Sequence, residues 1–385
     1  MKYFKFSALL ILLVSFSIMF NACEETTSTD GGPVIDSVEP AEGLPGDVVI
    51  IYGSGFGDYN QFSSRVYFGD EMAAILVDDT DVQWWDDEIQ VIIPVGAKTG
   101  NVYVEVDGVS SNGFAFTVHS VAPPTNIMAT SIDDKTIALE WTLSADDASN
   151  SFVGYRLFIN TESPIDYDPH TSTATIENLT EGMVYTFDLY AIGTYGTEEL
   201  ISEVTSVQWS PASRFIEDFD EGPLRLYESA STLYGSGLQL YNTEDEAPKN
   251  LKVAGGDDWD LGLYTSGGVI EFGSAANILA QYSSYSGTPK KCEISSTYYE
   301  VSSLSEVYDS QALDLGHEFS EGIIDLEALN TMMNVVFIVR TNSPEWNYAK
   351  VMVINNGGFL QGTADNRYIE VEVSYQKVSG VPYAL

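Results

Sequence analysis

Three segments near the C-terminal end of the chain decide its fold class. Residues 335–341 read VVFIVRT, residues 348–354 read YAKVMVI and residues 368–375 read YIEVEVSY. Turn-forming sequences, NNGG at 355–358 and ADNR at 364–367, separate the last two. Runs rich in β-branched and aromatic residues and bounded by such turns are typical of β-strands. The sequence therefore predicts an antiparallel sheet at this end of the chain.

The same pattern continues toward the N-terminus. Between residues 33 and 118, short alternating apolar runs are separated by Gly, Pro, Asn and Asp, which is typical of an antiparallel β-sandwich. Residues 137–141 (IALEW) and 185–191 (YTFDLYA) predict further strands after the Pro123-Pro124 break. The one short helix that we expect lies at 326–333.

The first residues of the chain indicate export. Lys2 and Lys5 precede an apolar run at 8–20, and Asn21-Ala22-Cys23 follow it. This is the form of a secretory signal, and the apolar run is shorter than the about 20 residues of a transmembrane helix. The cysteine at the cut resembles the lipobox of bacterial lipoproteins, which implies a signal peptide at 1–22 and lipid on Cys23.

An acidic tether is predicted at residues 23–32, because EETTSTDGG at 24–32 has no apolar residue. Glu24-Glu25 resembles the surface-export signal of Bacteroidota lipoproteins. The alternative is a solvated linker that is merely acidic. We expect a protein anchored by lipid in the outer membrane and facing the cell exterior.

The composition of the chain limits its binding partners and its disulfide bonds. Lysine and arginine number 16 against 57 aspartate and glutamate, so the formal charge is −41. Nucleic acid is excluded as a partner because phosphate binding depends on clustered Lys and Arg. Binding to an anionic membrane through a basic patch is excluded for the same reason. Cys23 and Cys292 are the only cysteines, so a lipidated Cys23 leaves no intramolecular disulfide.

The first domain, residues 33–120, resembles a known family. YGSGFG at 52–57, VYFG at 66–69 and Ile93-Pro94 resemble an IPT/TIG domain. That family has an immunoglobulin-like fold, so the resemblance implies a sandwich without a catalytic site. Trp85 falls where the family often has a core tryptophan, and alternation along a strand then points Trp84 outward.

The second domain, residues 121–210, has Trp141 and the later pattern Leu179-x-x-Gly182-x-x-Tyr185. In these residues it resembles a fibronectin type III domain. Tyr185 would be the tyrosine whose hydroxyl hydrogen-bonds the backbone at a sheet corner.

The C-terminal domain, residues 212–385, combines Trp259-Asp260-Leu261 with strands at 337–340, 349–351 and 369–375. In the order of these elements it resembles the HmuY family of haem-binding surface lipoproteins. Together the three domains give an all-β prediction: two tandem immunoglobulin-like sandwiches followed by a larger, mostly antiparallel β domain.

The HmuY resemblance implies haem as a cofactor, held by axial side chains. His317 is the one histidine of the C-terminal domain, and Met332 and Met333 are soft partners for haem iron. The alternative for His317 is a solvated loop residue. An outer-membrane transporter is the partner expected of such a protein.

Glycan binding is the second hypothesis, since lipoproteins of polysaccharide-uptake systems also combine a lipid tether with immunoglobulin-like spacers. Trp84 and Trp346 are the first candidates for an aromatic platform that stacks on sugars. The wider set of candidate aromatic residues, all of which could instead pack in cores, also includes Trp259, Tyr282, Tyr285, Tyr298 and Tyr299.

Enzyme motifs are absent from the sequence, which has no Gly-x-Ser-x-Gly and no His-Glu-x-x-His. We therefore expect a non-enzymatic protein without a metal site, whose C-terminal domain binds haem or a glycan while the two sandwiches act as spacers. A structural or adhesion protein of the cell surface is the remaining alternative.

Overall fold

The computed structural model describes residues 31–382, apart from 161, 219–221, 254–257, 283–287, 308–317 and 365 and the side chains of Thr297 and Tyr299. The chain divides into two compact units, one ending at His119 and the other beginning at Ser120. The predicted signal peptide, most of the tether and the lipidation site Cys23 lie outside the described residues.

The first domain is a two-sheet sandwich. Its strands are β1 Val34–Glu39, β2 Glu42–Gly43, β3 Val48–Ser54, β4 Ser64–Phe68, β5 Glu71–Met72, β6 Ala74–Ile75, β7 Val77–Asp78, β8 Asp81–Val82, β9 Glu88–Ile92, β10 Gly100–Val106, β11 Val109–Ser110 and β12 Phe114–Val118. One sheet has the order β1-β3-β9-β6 and the other β2-β12-β10-β4-β5, with β11 added to β10 and β7-β8 as a separate hairpin. Buried residues of both sheets, such as Ile51 and Val104, form one core between them.

Trp84 belongs to that core, so the expected orientation of the two tryptophans is wrong. Trp84 is 5% exposed and its indole Nε1 donates hydrogen bonds to the carbonyls of Phe56 and Gly57, both at 3.2 Å, whereas Trp85 is 45% exposed. A turn between Trp85 and Glu88 interrupts the strand. Trp84 and Ile89 then form an antiparallel β-bridge on the two sides of this turn. Because directly opposed residues share a face, Trp84 lies on the buried side with Ile89.

The second domain is also a sandwich. Its strands are β13 Thr125–Ser131, β14 Ile137–Thr142, β15 Phe152–Ile159, β16 Ile165–Tyr167, β17 Thr173–Ile176, β18 Tyr185–Tyr195, β19 Glu198–Ile201 and β20 Thr205–Trp209. The sheets have the orders β13-β14-β17 and β16-β15-β18-β19, with β20 on β18. Trp141 and Trp209 are buried in the core. The hydroxyl of Tyr185 accepts a hydrogen bond from the backbone N–H of Thr180 at 3.0 Å, as expected of a corner tyrosine.

The C-terminal domain is a third, larger pair of sheets. Its elements are β21 Ser213–Phe215, β22 Glu217–Asp218, β23 Gly222–Pro223, β24 Arg225–Tyr227, β25 Gly237–Asn242, β26 Ala247–Leu251, β27 Leu261–Tyr264, β28 Glu271–Ser274, α1 Ala275–Leu279, β29 Cys292–Val301, β30 Phe319–Ser320, β31 Ile323–Asp325, β32 Asn334–Thr341, β33 Asn347–Ile354 and β34 Tyr368–Tyr375, with 3-10 turns at Ser266–Gly268 and Leu304–Glu306. The all-β prediction is confirmed, while the expected helix at 326–333 is a turn and the described helix is α1.

The two sheets of this domain enclose the main core. The larger has the order β21-β34-β33-β32-β29-β30 with β24 on β34, and the smaller has the order β26-β25-β27-β28-β31. The rings of Phe272 and Phe337, one from each sheet, meet edge to face at 5.8 Å. The three C-terminal strands predicted from sequence are β32, β33 and β34, paired antiparallel in sequence order.

Asp260 joins the two sheets from within. It is fully buried, and its carboxylate accepts the backbone N–H of Leu240 at 2.8 Å and the hydroxyl of Thr341. Lys290 supplies the countercharge, with its Nζ 2.9 Å from Oδ1. A buried carboxylate is tolerated when it is paired and hydrogen-bonded in this way. Trp259-Asp260 therefore has a structural role, and the ring of Trp259 is buried against α1.

The second and C-terminal domains pack together within one unit. Ser210 and Gln376 are fully buried, and the Gln376 amide donates to the Pro211 carbonyl at 3.3 Å. Lys377 of the C-terminal domain forms ion pairs with Asp134 at 3.0 Å and Glu181 at 3.2 Å in the second domain. The polar and proline residues at Ser210-Pro211, where the sequence places the boundary between the two domains, lie buried in this interface.

Lys350 lies inside the same interface, on the outer face of the larger sheet. Its Nζ donates to the carbonyls of Leu304 and Val307 at 3.0 and 2.8 Å and lies 5.0 Å from the centre of the Trp209 ring. Burial lowers the pKa of Lys350 to about 7, and the nearby guanidinium of Arg214 acts in the same direction. A neutral amine can make these same two donated hydrogen bonds without the cost of a buried charge.

We expect Trp84→Ala to destabilise the first domain by about 3–5 kcal/mol, because it removes a large core side chain. Trp85→Ala, the matched control, should cost less than about 1 kcal/mol because that ring is half exposed. Urea unfolding followed by circular dichroism measures both. Equal losses for the two variants would contradict the assigned orientation.

We also expect Lys350 to make stability depend on pH. An unfolded lysine titrates near pH 10 while the folded one titrates at about 7, so the unfolded chain binds the extra proton between these values. The free energy of unfolding contributed by Lys350 therefore rises as pH rises through that window. Urea titrations at pH 7 and pH 9 should show a smaller rise in Lys350→Met than in the wild type.

The control for this experiment is Lys98→Met, which removes an exposed lysine of the first domain. It should keep the pH dependence of the wild type. Parallel pH profiles for Lys350→Met and the wild type would show that the buried amine titrates normally.

Candidate functional site

The residues proposed as haem ligands occupy different environments. Met332 is half-buried against the core of the C-terminal domain, and its carbonyl accepts the Asn355 amide at 2.7 Å. Met333 is 53% exposed, so its thioether can reach a ligand. His317 lies outside the described residues, so its position relative to these methionines stays a prediction. Met352 is buried in a separate cluster with Leu304, Val307 and Val336.

The proposed aromatic platforms are mostly engaged in packing. Trp84 and Trp259 are buried, and Tyr282 packs edge to face on Tyr264 at 5.5 Å. Tyr298 is 42% exposed, whereas Tyr285 and the side chain of Tyr299 lie outside the described part. These positions do not form an exposed row among the described residues.

Trp346 contacts two cations. The Arg340 guanidinium lies 4.5 Å and the Lys291 ammonium 5.1 Å from the centre of its ring. Arg340 also lies 4.5 Å from the Phe319 ring and donates to the Glu293 carboxylate. These cation–π contacts hold the half-buried ring against the protein, so Trp346 is not the open platform that the sequence suggested.

An open cleft at the edge of the smaller sheet is the best candidate site in the C-terminal domain. It has a volume of about 650 Å³ and lies along the edge strand β26. The residues that line it are Asp218, Leu233, Tyr234, Gly235, Asp245, Ala247, Pro248, Lys249, Asn250 and Lys252. Leu233 and Tyr234 supply its exposed apolar surface.

Tyr234 is held in place by its neighbours. Its ring stacks on Tyr227 with centres 4.3 Å apart, and Tyr227 in turn contacts Tyr368 at 5.6 Å. Gly235 permits the segment to approach the sheet, because a Cβ there would lie 2.2 Å from the backbone of Leu251. The tyrosine thus presents a fixed, partly exposed ring to the cleft.

Polar side chains at the cleft are held by an ion pair and by hydrogen bonds. The Lys249 ammonium pairs with Asp245 at 2.6 Å, and this hydrogen bond raises the pKa of the lysine so that it stays charged. Lys252 donates to the Thr232 carbonyl at 2.6 Å, and Asn250 donates to the Arg225 carbonyl at 2.6 Å. An aromatic ring beside amide, ammonium and carboxylate groups suits a polar, hydroxyl-rich ligand.

Sequence reasoning missed this cleft because its lining is spread over residues 218–252. A signal was present in the run KNLK at 249–252, where two of the 16 basic residues of the chain fall within four positions. Within the described residues, no group of three or more His, Cys, Asp or Glu side chains is placed to hold a metal ion. A search of the described part likewise found no helix with the length and apolarity to cross a membrane.

Three solved structures show a distant similarity to this chain. A computationally redesigned β-sandwich is 20% identical over 24% of this chain and 90% of its own, with a TM-score of 0.20. A γ-CGTase from alkalophilic Bacillus clarkii is 20% identical over 48% of this chain and 26% of its own, also at 0.20. A myokine structure is 16% identical over 24% of this chain and 99% of its own, with a TM-score of 0.19. Such low scores support no argument about function.

Family models match the first two domains. No curated protein matches the chain. Residues 33–118 match the model described as IPT/TIG domain, and residues 122–208 match the model described as Fibronectin type III domain. No enzyme family is indicated, and domains of these two kinds are typically non-catalytic. The chain therefore contains an IPT/TIG domain followed by a fibronectin type III domain, both immunoglobulin-like sandwiches.

Proposed function

We propose that this chain is a non-enzymatic lipoprotein of the outer membrane that faces the cell exterior and binds a ligand with its C-terminal domain. The two matched domains are compatible with a surface or adhesion protein. The signal-peptide pattern that ends at Cys23 supports export and lipid anchoring. The observation that carries ligand binding is the open cleft of about 650 Å³ beside Tyr234.

Haem is the ligand that the sequence resemblance to HmuY suggests. His317 would supply an axial nitrogen, and Met333, whose side chain is half exposed, would be the more accessible of the two candidate thioethers. The ligand would be delivered to an outer-membrane transporter. Haem binding rests on the resemblance and on these residue types.

A glycan is the second candidate, and the lining of the cleft favours it. Tyr234 offers a ring held by stacking, and Asn250 and Lys252 lie close by in the same cleft. Haem needs a largely apolar slot, whereas this cleft is open and lined by charged and amide side chains. The two sandwich domains would hold the cleft away from the membrane.

The anchor can be tested by Cys23→Ser. We expect the variant to leave the membrane fraction and appear in soluble fractions, because the acceptor for the lipid is gone. Cell fractionation with immunoblotting measures this, and Cys292→Ser is a matched control because Cys292 is buried in the C-terminal domain. Retention of Cys23→Ser in the membrane fraction would exclude lipidation at this residue.

The ligand can be tested by titrating the mature chain with hemin. If haem binds, a sharp Soret band should appear, and His317→Ala should weaken binding by about tenfold or more. His170→Ala, which removes an exposed histidine of the fibronectin type III domain, is the control and should leave the band unchanged.

Absence of a Soret band in the wild type would exclude haem. If polysaccharide gels then retard the wild type but not Tyr234→Ala, this result would support a glycan as the ligand of the C-terminal cleft. If His317→Ala keeps the Soret band and Tyr234→Ala keeps the retardation, neither His317 nor the C-terminal cleft binds the ligand.

A further inference from the structure

A second cleft lies in the IPT/TIG domain, on the loop between β3 and β4. It has a volume of about 710 Å³, and its lining residues are Asp58, Tyr59, Asn60, Gln61, Phe62, Ser63, Ser64, Val106 and Asp107. Phe62 is 80% exposed, more than the other large apolar residues of the described chain. A single exposed apolar residue is ordinary on a protein surface, so Phe62 matters here because a second aromatic ring and polar side chains share its cleft.

Hydrogen bonds hold the backbone of the loop that carries Phe62. The Arg65 guanidinium donates to the carbonyls of Gln61, Phe62 and Ser64 at 2.9, 3.1 and 2.8 Å. The Asn60 side chain accepts a hydrogen bond from the N–H of Phe62 at 3.0 Å. These bonds define the backbone conformation from which the Phe62 side chain projects into solvent.

Tyr59 adds a second aromatic ring to the cleft. It packs on the buried Trp84, with ring centres 5.7 Å apart, and is still 38% exposed. The core therefore supports one side of the cleft. Beside the two rings lie the exposed carboxylates of Asp58 and Asp107 and the exposed amide of Gln61.

The negative charge of the IPT/TIG domain limits the kinds of ligand that its cleft can bind. Arg65 and Lys98 are its basic residues between 33 and 118, against 15 aspartates and glutamates, and the guanidinium of Arg65 is engaged by the loop. Anionic polymers would be repelled. Hydroxyl groups, by contrast, donate well to carboxylates, and the apolar faces of sugar rings pack on aromatic rings.

We infer that this cleft, made by the loop 58–64 and by Val106 and Asp107, binds an uncharged polysaccharide, with Phe62 as the stacking residue. The inference depends on the proposed exposure of the protein at the cell surface but not on the ligand of the C-terminal cleft. It gives the IPT/TIG domain a binding role in addition to that of a spacer.

Affinity gel electrophoresis of the full mature chain tests it, with hydroxyethylcellulose, soluble starch or galactomannan in the gel and alginate as the acidic polymer. We expect retardation by at least one of the three neutral polymers and none by alginate. Phe62→Ala should weaken the retardation by about tenfold. Val95→Ala, which removes a 78% exposed side chain of the same domain outside the cleft, should leave it unchanged.

Three outcomes would overturn the inference. They are absence of retardation by all three neutral polymers, equal retardation of Phe62→Ala and the wild type, and stronger retardation by alginate than by the neutral polymers. Tyr234→Ala separates this site from the C-terminal cleft, since it removes any contribution of that cleft and leaves the part of the retardation that depends on Phe62. If Tyr234→Ala abolishes retardation while Phe62→Ala does not, the sugar belongs to the C-terminal cleft and the present inference is wrong.

Discussion

The buried carboxylate of Asp260 holds the C-terminal domain together. It connects β25 of the smaller sheet to β32 of the larger through Leu240 and Thr341, and Lys290 balances its charge. Without these partners, an ionised group at this depth would cost several kcal/mol. The contact lies on β25, which pairs with the edge strand β26 that lines the cleft.

A second constraint is the interface between the fibronectin type III domain and the C-terminal domain. Burial of Ser210 and Gln376, the ion pairs of Lys377 and the position of Lys350 under Trp209 make the two domains one compact unit. A ligand bound in the C-terminal domain is therefore held in a fixed position relative to the fibronectin type III domain. In the proposed ligand-binding role, that domain would form part of the framework of the site as well as a spacer.

Much of the fold could be predicted from sequence because strand pattern and turn residues are local signals. These signals predict the strands β32 to β34, and the resemblance to a fibronectin type III domain implies the corner position of Tyr185. The orientation of Trp84 could not, since it depends on a turn that resets the alternation before β9. Neither cleft could be predicted, because strand pattern and turn residues do not tell which aromatic residues of a connecting segment, such as Tyr234 or Phe62, stay exposed.

The way the chain enters the C-terminal domain has a mechanical consequence. Three residues after β20, the chain becomes β21, which pairs antiparallel with the end of β34 from Ser213 opposite Tyr375. Tension drawn along the chain from the fibronectin type III domain would reach the C-terminal domain at β21, whose ladder bonds to β34 run across the strand axis. With the proposed anchor at one end of the chain and a ligand at the other, these bonds would share that load.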